Sequence, residues 1–271
     1  MKTVLVQINR DDGQEARLQA ALDVVKAFAG HLACLQVPPL ANFAAADPYG
    51  LSYLIAETVE TIRDLTREER QEIEARLASE GVGWDWHSHA GDSAQLLGDH
   101  SWLADLVVVS APTDAWKPRI ETPPTASQTV MRSRAPVLAV PDASRGFDCS
   151  AAVAVAWNGS PECCAALRQS LPLLRRASAI HLVSVREDDD YYLPSTQAAA
   201  YLARHGITSE LVEVNPDGAP ISDCLLEAAQ ARKAGCVVMG AYGHSRLREN
   251  ILGGVTKGML LKARLPLLLA H

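Results

Sequence analysis

The chain repeats itself at long range, and no other feature limits its possible folds as strongly. Val107-Val108-Val109-Ser110 leads into a polar loop and then into Ala135-Pro136-Val137-Leu138-Ala139-Val140. Val237-Val238-Met239-Gly240 lies 130 residues later and leads through a second loop into Leu265-Pro266-Leu267-Leu268-Leu269-Ala270, with no gap. The openings match too. Val4-Leu5-Val6-Gln7-Ile8-Asn9 resembles Val153-Ala154-Val155-Ala156-Trp157-Asn158, and His31-Leu32-Ala33-Cys34-Leu35 resembles His181-Leu182-Val183-Ser184-Val185. The offset there is near 150, so the first copy carries roughly twenty extra residues, placed within 38–78. A repeat of this length divides 271 residues into two similarly built units. We expect domains over 1–141 and 150–271, with Asp142–Ser150 as the linker after Pro141.

Each copy alternates short apolar runs with helical spacing. In the second, Ala151–Trp157 is a continuous apolar run, as expected of a parallel strand covered on both faces. Asn158-Gly159-Ser160-Pro161 then supplies turn and N-cap chemistry. A helix is expected over Cys164–Ala177, a strand over Ile180–Val185 and a helix over Ser195–His205, stopped by Gly206. A strand at Leu211–Val214, a helix at Ile221–Ala234, a strand at Cys236–Met239 and a helix at Val255–Ala263 complete the unit. In the first copy, Ser52–Leu77 reads as an additional charged, amphipathic helix. Strands alternating with helices need right-handed crossovers and a parallel sheet, so the class is α/β. Aromatics at 5% against 48% apolar residues agree with helices packed on a buried sheet.

The segment richest in chemistry runs from Gly240 to Thr256, between a buried strand and the last helix. In open parallel sheets, ligands bind beyond the carboxyl ends of the strands. Gly240 and Gly243 let the backbone turn and approach a ligand without a Cβ in the way. Gly253 and Gly254 expose amides at a helix start, where the helix dipole also favours anions. His244, Ser245 and Arg246 add donors toward phosphate. Arg248 is equally readable as a solvated cation. The charge distribution agrees: residues 1–142 hold 12 basic and 20 acidic side chains, whereas 143–271 hold 13 and 12. An anionic ligand is expected in the second copy.

Gly240, Gly243 and Gly253 stand in the spacing G-x2-G-x9-G, and this segment resembles the universal stress protein family, whose nucleotide-binding members carry G-x2-G-x9-G-[S/T] here. The resemblance spans nearly the whole chain as a tandem pair and is densest over Cys236–His271. It implies two tandem flavodoxin-like, Rossmann-like domains, each a five-stranded parallel sheet of order 3-2-1-4-5 with helices on both faces. It also implies ATP, or another adenine nucleotide, with or without Mg²⁺. Carried over by position, Asn158 and Val185 would face the adenosine, Met239 and Gly240 would line its edge, and Gly243, Gly253, Gly254 and Val255 would hold phosphates. Thr256 belongs to the same cradle. Two positions depart from the family: Gly254 stands for the Ser/Thr, and Asn158 for an Asp. In the first copy the corresponding residues are Ser110, Thr113, Pro123 and Pro124. Prolines offer no amide and block approach, and Asp114 and Glu121 add negative charge. One nucleotide site, in the second copy, is expected. Such domains pair through their last strands, so an internal pseudo-dimer is expected, and a homodimer is compatible with it.

The remaining candidates read as structural. Six cysteines without zinc-like spacing read as reduced, buried thiols. His87-Ser88-His89 has strand spacing that puts both imidazoles on one face, where Asp92 or His100 would complete a zinc site. Without a fixed further ligand the pair reads as surface, and no metal site is expected. His31 and His181 occupy matching strand positions and read as structural. Trp84, Trp86 and Trp102 read as packing, and Asp188-Asp189-Asp190 as a solvated loop.

The sequence has no G-K-[S/T] loop, and Glu249 is the one carboxylate of the glycine segment, so at most weak ATPase or phosphotransfer chemistry is expected. The leading expectation is a cytoplasmic, stress-responsive binding module with an unidentified protein partner. An interaction scaffold with an empty site is the other alternative. The net charge of −7 speaks against nucleic acid, and the short apolar runs speak against a membrane span.

Overall fold

The computed structural model describes residues 1–38, 52–112, 125–186, 193–243 and 254–271, with the side chains of 52–57 excepted. In the N-terminal half, β1 (Thr3–Ile8), α1 (Gln14–Phe28), β2 (His31–Gln36), α2 (Ser52–Glu80) and β3 (Gly83–Ser88) follow in order. Then come α3 (Ser93–His100), a 3₁₀ turn (Ser101–Leu103), β4 (Leu106–Ser110), α4 (Thr125–Arg132) and β5 (Val137–Val140). The C-terminal half contains β6 (Val153–Ala156), α5 (Pro161–Gln169), α6 (Leu171–Leu174), β7 (Ile180–Val185) and α7 (Ser195–Arg204). It ends with β8 (Glu210–Val214), α8 (Ile221–Ala231), β9 (Cys236–Gly240), α9 (Gly254–Lys262) and β10 (Leu267–Ala270).

All ten strands form one sheet, β3-β2-β1-β4-β5-β10-β9-β6-β7-β8. Each half therefore has the order 3-2-1-4-5, read inward from its own outer edge to the middle. The repeat is also a repeat of register. Val4 lies opposite Leu106, and Val153 lies opposite Cys236, so the halves superpose with offsets of 149 and 130 residues. All neighbouring pairs are parallel except β5 with β10, where Leu138 faces Leu268. Two parallel units related by a two-fold axis can meet edge to edge only in this antiparallel way. Pro136 and Pro266 sit just before the paired residues. Their carbonyls accept from Val107 and Val237 at 3.0 and 3.1 Å, and a proline just before a strand is tolerated without its amide.

A hydrophobic layer covers each face of the sheet, and both layers cross the seam. Val6, Leu138, Val155 and Leu268 belong to one, and Val107, Ala139, Val237 and Leu269 to the other. The expected linker is free of regular structure, yet it is packed: Phe147 and Cys149 are buried, and the Phe147 amide donates to Asp23 of α1 at 2.8 Å. The single helix expected over Cys164–Ala177 is two helices. It breaks at Ser170, because Pro172 lacks the amide that a continuous helix would need. The helix expected to reach Ala234 ends at Ala231, and Lys233 turns to a left-handed φ of 50°. The charged helix runs three residues beyond Leu77, to Glu80, where Lys26 of α1 meets it at 2.6 Å. No helix among the described residues is long and apolar enough to cross a membrane.

Candidate functional site

The ends of β6 and β9 and the start of α5 build the described part of the glycine site. Ser160 caps α5 by accepting from the Cys163 amide at 3.2 Å, and Pro161 occupies the first turn. This presses the N-terminus of α5 against the end of β9. A Cβ on Gly240 would lie 2.5 Å from the Cys163 nitrogen and 2.6 Å from the Glu162 carbonyl carbon, so only glycine fits there. A Cβ on Gly243 would lie 3.2 Å from Glu162 Oε2, so the backbone at Gly243 runs directly past that buried carboxylate. Between them, Tyr242 adopts a left-handed φ of 59°. This is uncommon for a bulky residue and is maintained by its surroundings. Burial pushes its phenol up to about 12, with Ser127 of α4 pulling the other way, which places the ring against the other half of the molecule.

Asn158 follows β6 and is exposed, but its Oδ1 accepts locally from the Ser160 amide at 3.1 Å and from Cys163 Sγ at 3.0 Å. Val185 ends β7 and is half-buried beside the core. Met239 is buried in the core, so its backbone and not its side chain is free to face a ligand. Gly254, Val255 and Thr256 form the first turn of α9, and a Cβ on Gly254 would meet nothing within 4 Å. The first amides of a helix have no partners within that helix. His244, Ser245, Arg246, Arg248, Glu249 and Gly253 lie outside the described residues. Glu162 is the site residue that sequence reasoning missed. Its only sequence signal was a carboxylate two residues after the N-cap.

The corresponding crevice of the N-terminal half is closed by its own side chain. Arg17 is 1% exposed. Its Nε donates to the Gln7 carbonyl at 2.7 Å, its Nη2 to the Asn9 carbonyl at 3.0 Å, and its Nη1 to Asp11 at 3.1 Å and to Ser110 Oγ. Ala166 stands at the same position of the second half. The close contact is exchanged as well: Gly13 faces Ser110 where Glu162 faces Gly240. Asp142 packs into the same place, and burial together with Asp11 pushes its carboxyl above the usual range. Thr113, Asp114, Glu121, Pro123 and Pro124 lie outside the described residues.

The other candidates separate cleanly. His31 pairs with Asp85 at 2.8 Å and His181 with Glu210 at 2.7 Å, each across to the edge strand of its half. Trp84 and Trp86 pack on the core, but Trp102 is 69% exposed beside the still more exposed Leu103, contrary to the packing expected of it. It lies on the 3₁₀ turn, which carries it off the sheet. All six cysteines are free thiols, five of them buried, and burial pushes Cys34 and Cys236 up to about 12. Asp188-Asp189-Asp190 lies outside the described residues. A groove of about 530 Å³ runs between α1 and the linker, lined by Asp23, Lys26, Phe147, Cys149 and Arg176, and no residue of the glycine site borders it.

Comparison with known proteins agrees with this architecture. A universal stress protein from Archaeoglobus fulgidus DSM 4304 superposes with a TM-score of 0.72 at 17% identity, over 99% of this chain and 97% of that one. A putative universal stress protein from Pseudomonas aeruginosa UCBPP-PA14 gives 0.58 at 16% identity, over 99% and 92%. At these identities the likeness is one of fold. A sequence search of curated proteins returns no match. The profile of the universal stress protein family matches residues 151–271. Residues 151–271 therefore form a domain of the universal stress protein type, and the N-terminal half carries the same fold a second time.

Proposed function

We propose that the protein is a stress-response binding module that holds one ATP in its C-terminal half. The observation that carries this reading is the contact of Gly240 and Gly243 with the N-terminus of α5. Gly240 brings bare backbone tightly against the helix start, Gly243 passes the Glu162 carboxylate, and the first-turn amides of α9 follow after the same segment in the chain. Amides at helix starts, together with the helix dipole, suit phosphate. The N-terminal half offers the opposite chemistry, a crevice filled by Arg17 and rimmed by Asp11 and Asp142.

Glu162 defines the form in which the nucleotide arrives. A buried carboxylate beside the phosphates would repel a bare polyphosphate, whereas a Mg²⁺ ion between them turns repulsion into a bridge. The residues present thus fit Mg²⁺·ATP. The same carboxylate favours a second reading, slow hydrolysis of the bound ATP, because it is a described group able to hold a metal at the phosphates.

Calorimetric titration of the full chain with Mg²⁺·ATP tests the primary reading. Gly243→Val should weaken binding at least about tenfold, the loss expected when a side chain fills an approach that needs the bare backbone. Unchanged affinity in that variant would place the site elsewhere. Turnover that disappears in Glu162→Gln or Glu249→Gln would favour the enzyme.

A further inference from the structure

Seven of the eight histidines are described, and four of them have polar partners. His31 and His181 meet carboxylates, His205 meets Arg175, and His271 meets the Ala241 carbonyl. The other three meet one another. The His100 ring centre lies 5.2 Å from that of His87 and 5.2 Å from that of His89, while His87 and His89 stand 6.5 Å apart with nearly parallel planes. Asp92, the other residue able to complete the set, is committed elsewhere: it caps α3 by accepting from the Gln95 amide at 2.7 Å. No described residue hydrogen-bonds to any of the three rings.

We propose that His87, His89 and His100 form a binding site for a divalent transition-metal ion of the zinc class, separate from the nucleotide site. Zn–N bonds of about 2.0–2.1 Å put the metal about 3.2 Å from each ring centre, so tetrahedral ligation separates ring centres by about 5.2 Å. Two of the three separations already have that value. The third must close by about 1.3 Å, and no three described His, Cys, Asp or Glu side chains are already arranged to hold a metal. Loading therefore turns the β3 rings about χ1 and χ2 toward His100. Strand alternation supplies the pair: His87 on β3 and His89, one residue past its end with its amide still donating to the Gln36 carbonyl at 3.1 Å, share a parity opposite to that of Trp84 and Trp86, which pack on the core. His100, at the end of α3, supplies the third ligand.

Three imidazoles select a borderline-soft transition metal over Mg²⁺ or Ca²⁺, which take oxygen ligands. Three nitrogens leave one tetrahedral position for water or an incoming ligand. The site sits on the outer strand β3, six strand spacings, or roughly 29 Å, from β9. It is thus independent of whatever the glycine segment binds.

The test is titration of zinc chloride into the metal-stripped, nucleotide-free full chain. One equivalent should bind with micromolar or tighter affinity, and His87→Gln, His89→Gln and His100→Gln should each weaken it at least about tenfold. His89 is exposed, so its replacement leaves the core untouched and keeps the test decisive if another variant folds poorly. Cobalt(II) should give a tetrahedral spectrum without thiolate charge transfer, and the three variants should lose it. Absence of zinc uptake, equal affinity in His89→Gln, or a thiolate band would overturn the proposal.

Discussion

Arg17 and Glu162 show how one side chain separates two copies of the same crevice. Arg17 donates to two carbonyls, a carboxylate and a hydroxyl from a position 1% exposed. Arg17→Met keeps much of the volume but leaves those acceptors and the Asp11 carboxylate without their cation. It should lower stability by about 3 kcal/mol in urea unfolding, toward the low end for a broken buried pair because Asp11 is partly exposed. A loss below about 0.5 kcal/mol, the size of an ordinary surface substitution, would show that the guanidinium is dispensable. Glu162→Gln makes the opposite kind of change. With the negative charge gone, ATP binding in EDTA should tighten relative to the parent chain, while the gain from added Mg²⁺ should shrink. Equal Mg²⁺ dependence in both proteins would remove Glu162 from the phosphate site. The sequence made the glycines readable, because strand, turn and helix start were adjacent along the chain. Arg17 was not readable: its closing partner Ser110 lies 93 residues away, and nothing local marks an arginine on a helix as the plug of a crevice.

At the scale of elements, the helices that flank the site are tied by side chains as well as by packing. Lys262, in the last turn of α9, reaches Asp223 in the first turn of α8 at 2.6 Å. The hydrogen bond from Lys262 holds the Asp223 carboxyl below the usual aspartate range. A lowered folded-state value means that the contribution is present above the unfolded value, about 3.9, and is lost as pH falls through the folded one. NMR titration should place the Asp223 midpoint below that of a model peptide, and Lys262→Met should raise it; an unmoved midpoint would show that the pair is not formed. The apolar runs were legible for the inner strands, since parallel strands buried on both faces need continuous apolar sequence, whereas the outer strands β3 and β8 alternate or carry charge. Helix interiors were legible and their ends less so. Pro172 falls where the apolar spacing of Leu167, Leu171 and Leu174 still reads as one helix, and only the missing amide divides it. The meeting of His100 with the β3 pair was open in sequence, where Asp92 had equal standing. The helix start decided it by using Asp92 as its cap.

Over the whole molecule, the antiparallel β5–β10 seam makes two repeated halves into one ten-stranded sheet with common cores on both faces. Tyr242 crosses the same boundary, since it belongs to the segment after β9 and is half-buried near Ser127 of α4. The halves have diverged in charge as well as in crevice. The N-terminal half holds the excess of acids and the histidine cluster, and the near-neutral C-terminal half holds the glycine segment. Our central claim is that one of two crevices of common origin remains open to a nucleotide. Native mass spectrometry of the full chain with excess Mg²⁺·ATP counts occupied crevices directly. One ATP per chain is the predicted result, whereas none would contradict nucleotide binding and two would contradict closure of the first crevice by Arg17.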